Sequence, residues 1–555
     1  MKKWKCKCLA AITAMMLSVG MTGCGEAATV TSSTQSSSSA KENTASSTTD
    51  ATTGDYSDTL VVDLVAEPVS MDPGHVTDIN SMRVHDLMYD KLIEWGDDGF
   101  TLEPCIATDW KMTKEDGTEY VFQIRQGVKF HDGSELTAED VEFTFMRMLD
   151  ENHECYGTGP FPNASSFFGM VEKVEATGEY EVTFTLNETN AAFLQFLTND
   201  CGSIVNADVI RNAGSEGTSL LDAGCGPYKL ESWEKGVSVK LSAFDDYWGD
   251  KALTPNVIIE PVIEPLVSVT KLLNGETDIV TDVDPDSVAQ VEASGYEVQQ
   301  VLGPHFWYVV LNCSAKPFDD VRVRQAVNYA IDKETICNDL LKGTGTPATQ
   351  PLTPSENGYN SDITGYEYNP EKAKELLAEA GYPDGFEVNY LIPESGSGMQ
   401  SCVAMSTAIQ GYLADVGITA NIEKMEWGTF LNRCMSEDLI GDEAEYQMWS
   451  LSWMNVAGDP DSILAKLFSN DNMIFYNCGF YDSDEVSDLL ADAIVELDAQ
   501  KRTSMYKEIS AKIVEDAPVI FVDWGNQIAG VSPSVNGFTL HPDQMLRLEK
   551  VTKNK

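Results

Sequence analysis

Histidine is scarce in this chain of 555 residues: six are present, scattered singly. That argues against a histidine-rich metal centre, although not against capture of a metal held in a chelate. Two hydrolase signatures are missing. There is no G-x-S-x-G elbow, and His153-Glu154 runs into Cys155-Tyr156-Gly157 without the second histidine of a zincin. Positive charge is short as well, with 37 Lys and Arg against 88 Asp and Glu and a net charge of −51. A nucleic-acid role needs a basic surface and is excluded. With so many carboxylates, no acidic pair singles itself out as a glycosidase dyad. The acidity reads as solubility outside the cell, with long-range attraction for cations as a weaker consequence.

Cysteine pairing is also unsupported. Of 12 cysteines, Cys6 and Cys8 fall in the leader and Cys24 at its end, which leaves an odd number at long, irregular spacings. No C-x-x-C pair follows the leader, so neither a zinc ribbon nor a thioredoxin motif is indicated. Cys201 and Cys225 are placed to bridge one loop. No cofactor is called for.

The N-terminus has Lys2, Lys3, Lys5 and Lys7, then a mostly apolar run over 9–21, then Met21-Thr22-Gly23-Cys24. The run is shorter than the roughly 20 residues needed to span a bilayer, so 1–23 reads as a signal peptide. Its ending resembles a bacterial lipobox, with Cys24 as the lipidated first residue. Residues 24–55 are mostly Ser, Thr and Ala, too apolar-poor to offset ordering entropy, and read as a disordered tether. No later segment reaches membrane-spanning length. The expected location is extracytoplasmic, held to the outer face of the membrane by lipid alone.

The remaining 500 or so residues exceed one hydrophobic core, so two or three domains are expected. Strands are read at 59–65, 181–186, 237–243, 386–392 and 418–424. Val323, Ala326, Val327, Ala330 and Ile331 lie at helical spacing. Asn369-Pro370 opens a helix that Gly381 ends. Another opens at 482–485, with Val486, Leu489, Leu490, Ala493, Ile494 and Leu497 facing inward. The pattern is mixed α/β without internal repeats.

Residues 119–147, EYVFQIRQGVKFHDGSELTAEDVEFTFMR, give a strand, an Asp-Gly turn and a helix opened by a Thr137/Asp140 capping box. Their wording closely resembles the bacterial extracellular solute-binding proteins of family 5, the oligopeptide-, dipeptide- and nickel-binding receptors of ABC importers. GCGPYKLESWEKGVSVKLSAFDDYWG (224–249), LLNGETDIV (272–280) and NCSAKPFDDVRVRQAVNYAIDKETI (312–336) extend the resemblance in the right order, as does 481–518.

The resemblance implies a two-lobed α/β fold of the periplasmic-binding-protein type II kind, monomeric, with mixed sheets and ligand enclosed between lobes. Lobe one takes 55–301 plus 522–555 and lobe two takes 302–521. The hinge is a pair of crossing strands, 305–311 and 519–524. Ligand shifts an open–closed equilibrium by its preference for the closed state, which the permease reads. The implied activity is peptide capture, not catalysis. A non-peptide solute, a sugar or nickel chelate, is the alternative, with a secreted hydrolase or a signalling receptor as rival classes.

In this family a Trp-x-x-Asp-x-Gly-Asp-Pro-Asp stretch pairs a carboxylate with the peptide amine. Here Trp453 begins that frame and Val456 stands at the carboxylate position. Valine neither accepts a hydrogen bond nor balances an ammonium, and a buried unpaired charge costs several kcal/mol. Asp459 and Asp461 are the substitutes, or caps of the helix that follows. Trp427 and Trp453 match cleft aromatics, able to stack on a peptide plane or sugar face, or else are core residues. Arg433 stands one residue off the family's carboxylate clamp, with an ordinary surface arginine as the alternative. Trp307 and His305 sit on the hinge strand, with core packing as the alternative role, and His75 sits on a loop bordering the cleft.

Overall fold

The computed structural model describes residues 57–555, apart from 97–98, 100, 215–216, 395–398 and 456–457. The leader, Cys24, the tether and Val456 lie outside the described residues. Two long strands organise the molecule. Glu297–Leu311 and Val519–Val531 pair antiparallel within a sheet of 11 strands. Toward Glu297 and Val531 the sheet continues through Ile279–Val280, Thr59–Leu64, Asn256–Pro261, Ser238–Ala243 and Tyr228–Glu234. Toward Leu311 and Val519 it continues through Met448–Met454, Phe386–Pro393 and Ile418–Met425. Each long strand therefore serves both lobes, and together they are the hinge.

The apolar run HFWYVVL owes its character to this position. Phe306, Tyr308 and Val310 enter one hydrophobic cluster, while Trp307, Val309 and Leu311 enter another on the opposite face. A strand covered on both faces reads as a continuous hydrophobic run, without alternation. Both hinge strands run further than the sequence suggests. Gly303 and Pro304 argue against continuation, yet they fall at a register shift between Leu302 and Phe306, where the ladder to the partner strand is interrupted.

The first lobe adds a four-stranded antiparallel sheet of Ala107–Met112, Glu119–Ile124, Glu181–Leu186 and Val171–Gly178. Tyr120, Phe122 and Ile124 point into the core, and the helix Ala138–Leu149 buries Val141, Phe145 and Met148 against it. At its start the Asp140 carboxylate accepts from the Thr137 backbone N–H at 3.0 Å, the reach-back half of a capping box. The His131-Asp132-Gly133 turn is tied to the glycines of GCGPY. His131 meets the Asp222 carboxylate at 2.6 Å and the Gly226 carbonyl at 2.9 Å. A Cβ on Gly224 would stand 2.0 Å from the Met88 carbonyl, so only glycine lets these backbones approach.

The helices follow their signals closely. Pro370–Glu379 is capped by Asn369, and Asp484–Val495 by Ser483. Val486, Leu490 and Ala493 are buried as expected, but Leu497 lies beyond the helix and is 37 % exposed. Ile494 turns to the other lobe: it packs against the first-lobe core, and its carbonyl accepts from Ala191 N–H at 2.7 Å.

Each lobe is pinned by a buried two-pronged ion pair. Arg147 grips Asp72 at 2.7 and 2.8 Å in the first, and Arg502 grips Asp459 at 2.6 and 2.8 Å in the second. All nine cysteines from Cys105 to Cys478 are unpaired and, except for the half-buried Cys313, fully buried; Cys201 and Cys225 form no bridge. Among the described residues, no helix is long and apolar enough to cross a membrane.

Candidate ligand cleft

A cavity of about 540 Å³ lies between the lobes, within the size range of small-molecule sites. The first lobe supplies most of its wall: the helix Ile79–Met88, the ribbon of Ile93–Trp95 and Leu102–Pro104, residues 198–200 and 247–250, and the C-terminal run 542–550. The second lobe adds Ser355, Glu356, Met454, Asn455 and Gly458, beside Pro304 of the hinge. The lobes meet closely here. A Cβ on Gly458 would stand 2.5 Å from the Trp95 ring, and the Gln544 amide lies 3.0 Å from the Met454 sulfur.

The wall is strongly acidic. Nine carboxylates line it, Asp86, Asp90, Glu94, Glu103, Asp200, Asp250, Glu356, Asp543 and Glu549, against the cations Lys91, Arg547 and Lys550. Asp90 accepts from the Trp248 indole at 2.6 Å and the Tyr247 hydroxyl at 3.2 Å, yet burial pushes its pKa up to about 7. Glu549 is likewise pushed to about 7, by burial and then by the charges of Asp86 and Glu94. Burial and Asp86 raise Glu94, and burial raises Glu356, although Thr353 N–H and the Asn455 amide donate to it at 2.6 and 2.5 Å. Burial would lower the Lys91 ammonium, but Asp86 at 3.1 Å and the charge of Asp200 together outweigh it and the pKa rises. Asp543 is shifted the other way: burial would raise it, but a hydrogen bond from His541 and the charge of Arg547 hold it low. Among the described residues, no group of His, Cys, Asp and Glu is arranged to hold a metal ion.

None of the sequence-derived candidates lines this cavity. Trp307 is 2 % exposed in the second-lobe core, because its position on a doubly covered strand turns it inward. Asp459 is 1 % exposed and both its oxygens take the Arg502 fork, so it has no oxygen free for a ligand amine. It also caps the next helix by accepting from Asp461 N–H at 3.0 Å. Arg433 is held by Glu445. His75 packs on Phe161 and lies 3.5 Å from Asp72, beneath the Arg147 pair. His305 stands on the hinge strand, where burial lowers its pKa to about 4.

Trp427 and Trp453 sit at the end of the sheet that also carries Met454 and Asn455. Strand direction explains why. Phe386–Pro393 runs parallel to both Ile418–Met425 and Met448–Met454, so all three end on one edge, and that edge carries Met454 and Asn455 of the cavity. Ligands of open α/β sheets sit outside the carboxyl ends of the strands. Trp427 follows two residues after one such end, half-buried and stacked on Phe430 at 5.7 Å. Trp453 lies on another, its indole donating to the Ser462 carbonyl at 3.2 Å and its ring edge-on to Tyr476. Sequence reasoning missed the acidic wall. Its members are isolated carboxylates from remote segments, and only the opposition of Glu94 and Glu103 across the ribbon would have marked it.

Known proteins share this architecture. The model of the bacterial extracellular solute-binding proteins, family 5, middle part, matches residues 101–475. Heme-binding protein A of Haemophilus influenzae is 32 % identical over 473 residues, covering 82 % of this chain and 85 % of that one. The dipeptide-binding protein of Escherichia coli is 30 % identical over 474 residues, covering 82 % and 87 %. The structure of the ABC transporter-associated periplasmic binding protein DppA from Helicobacter pylori, in complex with the peptide STSA, superposes with a TM-score of 0.73 at 29 % identity, covering 90 % of this chain and 98 % of that one. The fold, the hinge of paired strands and the interlobe cavity thus have one explanation: this chain belongs to the bacterial extracellular solute-binding proteins of family 5.

Proposed function

We propose that the protein captures short peptides outside the cell and hands them to an ABC permease by closing its lobes around them. The observation that carries this reading is the cavity of about 540 Å³ with walls from both lobes, between which the chain crosses through the two paired hinge strands. Closure excludes water and strengthens each polar contact inside. Relatives named for dipeptides and a neighbour holding a peptide support the ligand class. Lobe boundaries at 301/302 and 521/522, a lipid on Cys24 and a tether over 24–55 complete the proposal, with Trp427 and Trp453 as aromatic contacts for the ligand's far end.

A non-peptide solute is the second reading. What favours it is Val456 at the family's amine-binding position, together with the engagement of Asp459 by Arg502. Heme, with two carboxylates, is disfavoured by the acidity of the wall.

A thermal-shift screen of the chain against dipeptides, tripeptides, oligosaccharides and nickel chelates decides between them. A ligand that binds only the native state raises the midpoint by mass action, in proportion to RT ln(1 + [L]/Kd). Peptides are expected to raise it. A shift by sugars or chelates alone overturns the peptide reading.

A further inference from the structure

The first-lobe wall carries like charges where folding alone would avoid them. Glu94 and Glu103 stand directly opposite each other in the two-stranded ribbon, an arrangement that destabilises a sheet. Asp86 adds to the same negative field: after burial, its charge is the next influence that raises the pKa of both Glu94 and Glu549. The local cations already have carboxylates of their own: Lys91 meets Asp86 at 3.1 Å, Arg547 meets Asp543 at 3.1 Å and Lys550 meets Asp250 at 3.3 Å.

A second observation is independent of that cluster. Asp200 lines the same cavity and is 6 % exposed. Its Oδ2 meets His85 at 2.9 Å, while its Oδ1 is buried without any hydrogen-bond partner. A buried carboxylate oxygen lacking a donor is costly, and an incoming N–H group would satisfy it.

We propose that this wall is a cation subsite, receiving an ammonium or guanidinium group of the ligand, so that the receptor selects positively charged solutes. The inference rests on the cavity being the ligand site. The wall takes over from the first lobe the charge balance that Val456 and Asp459 do not offer from the second. The charged group can come from a peptide N-terminus or from a lysine or arginine side chain; both present the same N–H donors.

Calorimetric titration of the full chain tests it, with Ala-Lys-Ala, its N-acetylated form, trialanine, Ala-Glu-Ala and agmatine as probes. The same titrations are run on the Glu94→Gln, Glu103→Gln double variant. Ala-Lys-Ala is expected to bind at least tenfold tighter than Ala-Glu-Ala, and the preference to shrink below threefold in the variant. The ligand-free variant keeps or raises its Tm, because a repulsion is removed. Retention of binding by the acetylated peptide supports the proposal with a side chain as the source of charge, and its loss supports it with the N-terminus. Equal binding of Ala-Glu-Ala, Ala-Lys-Ala and the acetylated peptide, or affinities unchanged in the variant, overturns the subsite while leaving a peptide receptor. Binding of agmatine alone supports the subsite and overturns the peptide reading. No binding by any cationic probe overturns the subsite.

Discussion

The two walls of the cleft are built differently. Eight of the nine lining carboxylates belong to the first lobe, and the one from the second, Glu356, is spoken for by Thr353 and Asn455. The second-lobe wall is otherwise a serine, a methionine, an asparagine and a glycine. One wall holds charge in excess, and the other, Glu356 apart, is uncharged, small and internally hydrogen-bonded. On the proposed reading the difference is a division of labour, in which the first lobe would choose the ligand and the second would decide whether the cleft can shut. Substitutions on the two sides should therefore fail in different ways.

The largest effect is expected where the neutral wall is anchored. Arg502→Ala strands the Asp459 carboxylate in the core beside Asn455 and Gly458, and should cost about 3–5 kcal/mol in chemical denaturation. A loss under about 1 kcal/mol would show that the pair does not anchor that wall. Next comes closure itself. Gly458 has φ +66° and its Cβ would strike the Trp95 ring. Gly458→Ala should weaken ligand binding about tenfold, about 1.4 kcal/mol, for a backbone cost of about 1–2 kcal/mol. Adding Trp95→Ala should recover part of the affinity; no recovery would mean that the clash is not what keeps the lobes apart.

The hinge between the walls offers a pH test. Asp523 is 5 % exposed, its Oδ1 has no partner, and burial raises its pKa from 3.8 to about 7. The native state therefore holds a proton that the unfolded chain releases. That contribution is complete below pH 3.8 and is lost as pH rises through about 7, by at most about 1.4 kcal/mol per pH unit. Asp523→Asn should flatten the fall in Tm between about pH 4 and pH 7, and an unaltered pH profile would refute it. The smallest effect is expected at an aromatic just beyond the carboxyl end of a second-lobe strand. Trp427→Ala should cost about 0.5–1.5 kcal/mol of binding, the scale of one stacking contact, and unchanged affinity in titration would assign Trp427 to packing alone.

Much of the frame was legible because local chemistry and tertiary position agree there. The doubly covered hinge strand announces itself in HFWYVVL, and caps such as Asn369 and Ser483 stand where the helices begin. The continuation of that strand to Glu297 was hidden by Gly303-Pro304, a pair that usually stops a strand and here occupies its irregularity. The cleft was harder. Trp307 looks like a ligand aromatic until strand pairing fixes which way it faces, and Asp459 looks like a free carboxylate until Arg502 arrives from 43 residues away. The acidic wall depends on segments far apart in the chain, such as those of Glu94 and Glu549, and no local pattern joins them.

The unpaired cysteines have a consequence of their own. The described thiols are withdrawn from solvent, Cys313 less completely than the rest, and burial raises Cys105, Cys201 and Cys225 well above the ordinary thiol range, with Cys313 pushed up to about 11. Thiolate is the species that exchanges disulfides and is oxidised, and these sites hold very little of it. Folding needs no oxidant, and the folded receptor offers none of these sulfurs to its surroundings. It should bind its ligand equally well in reducing and oxidising media, a form of robustness that disulfide-stapled secreted proteins lack.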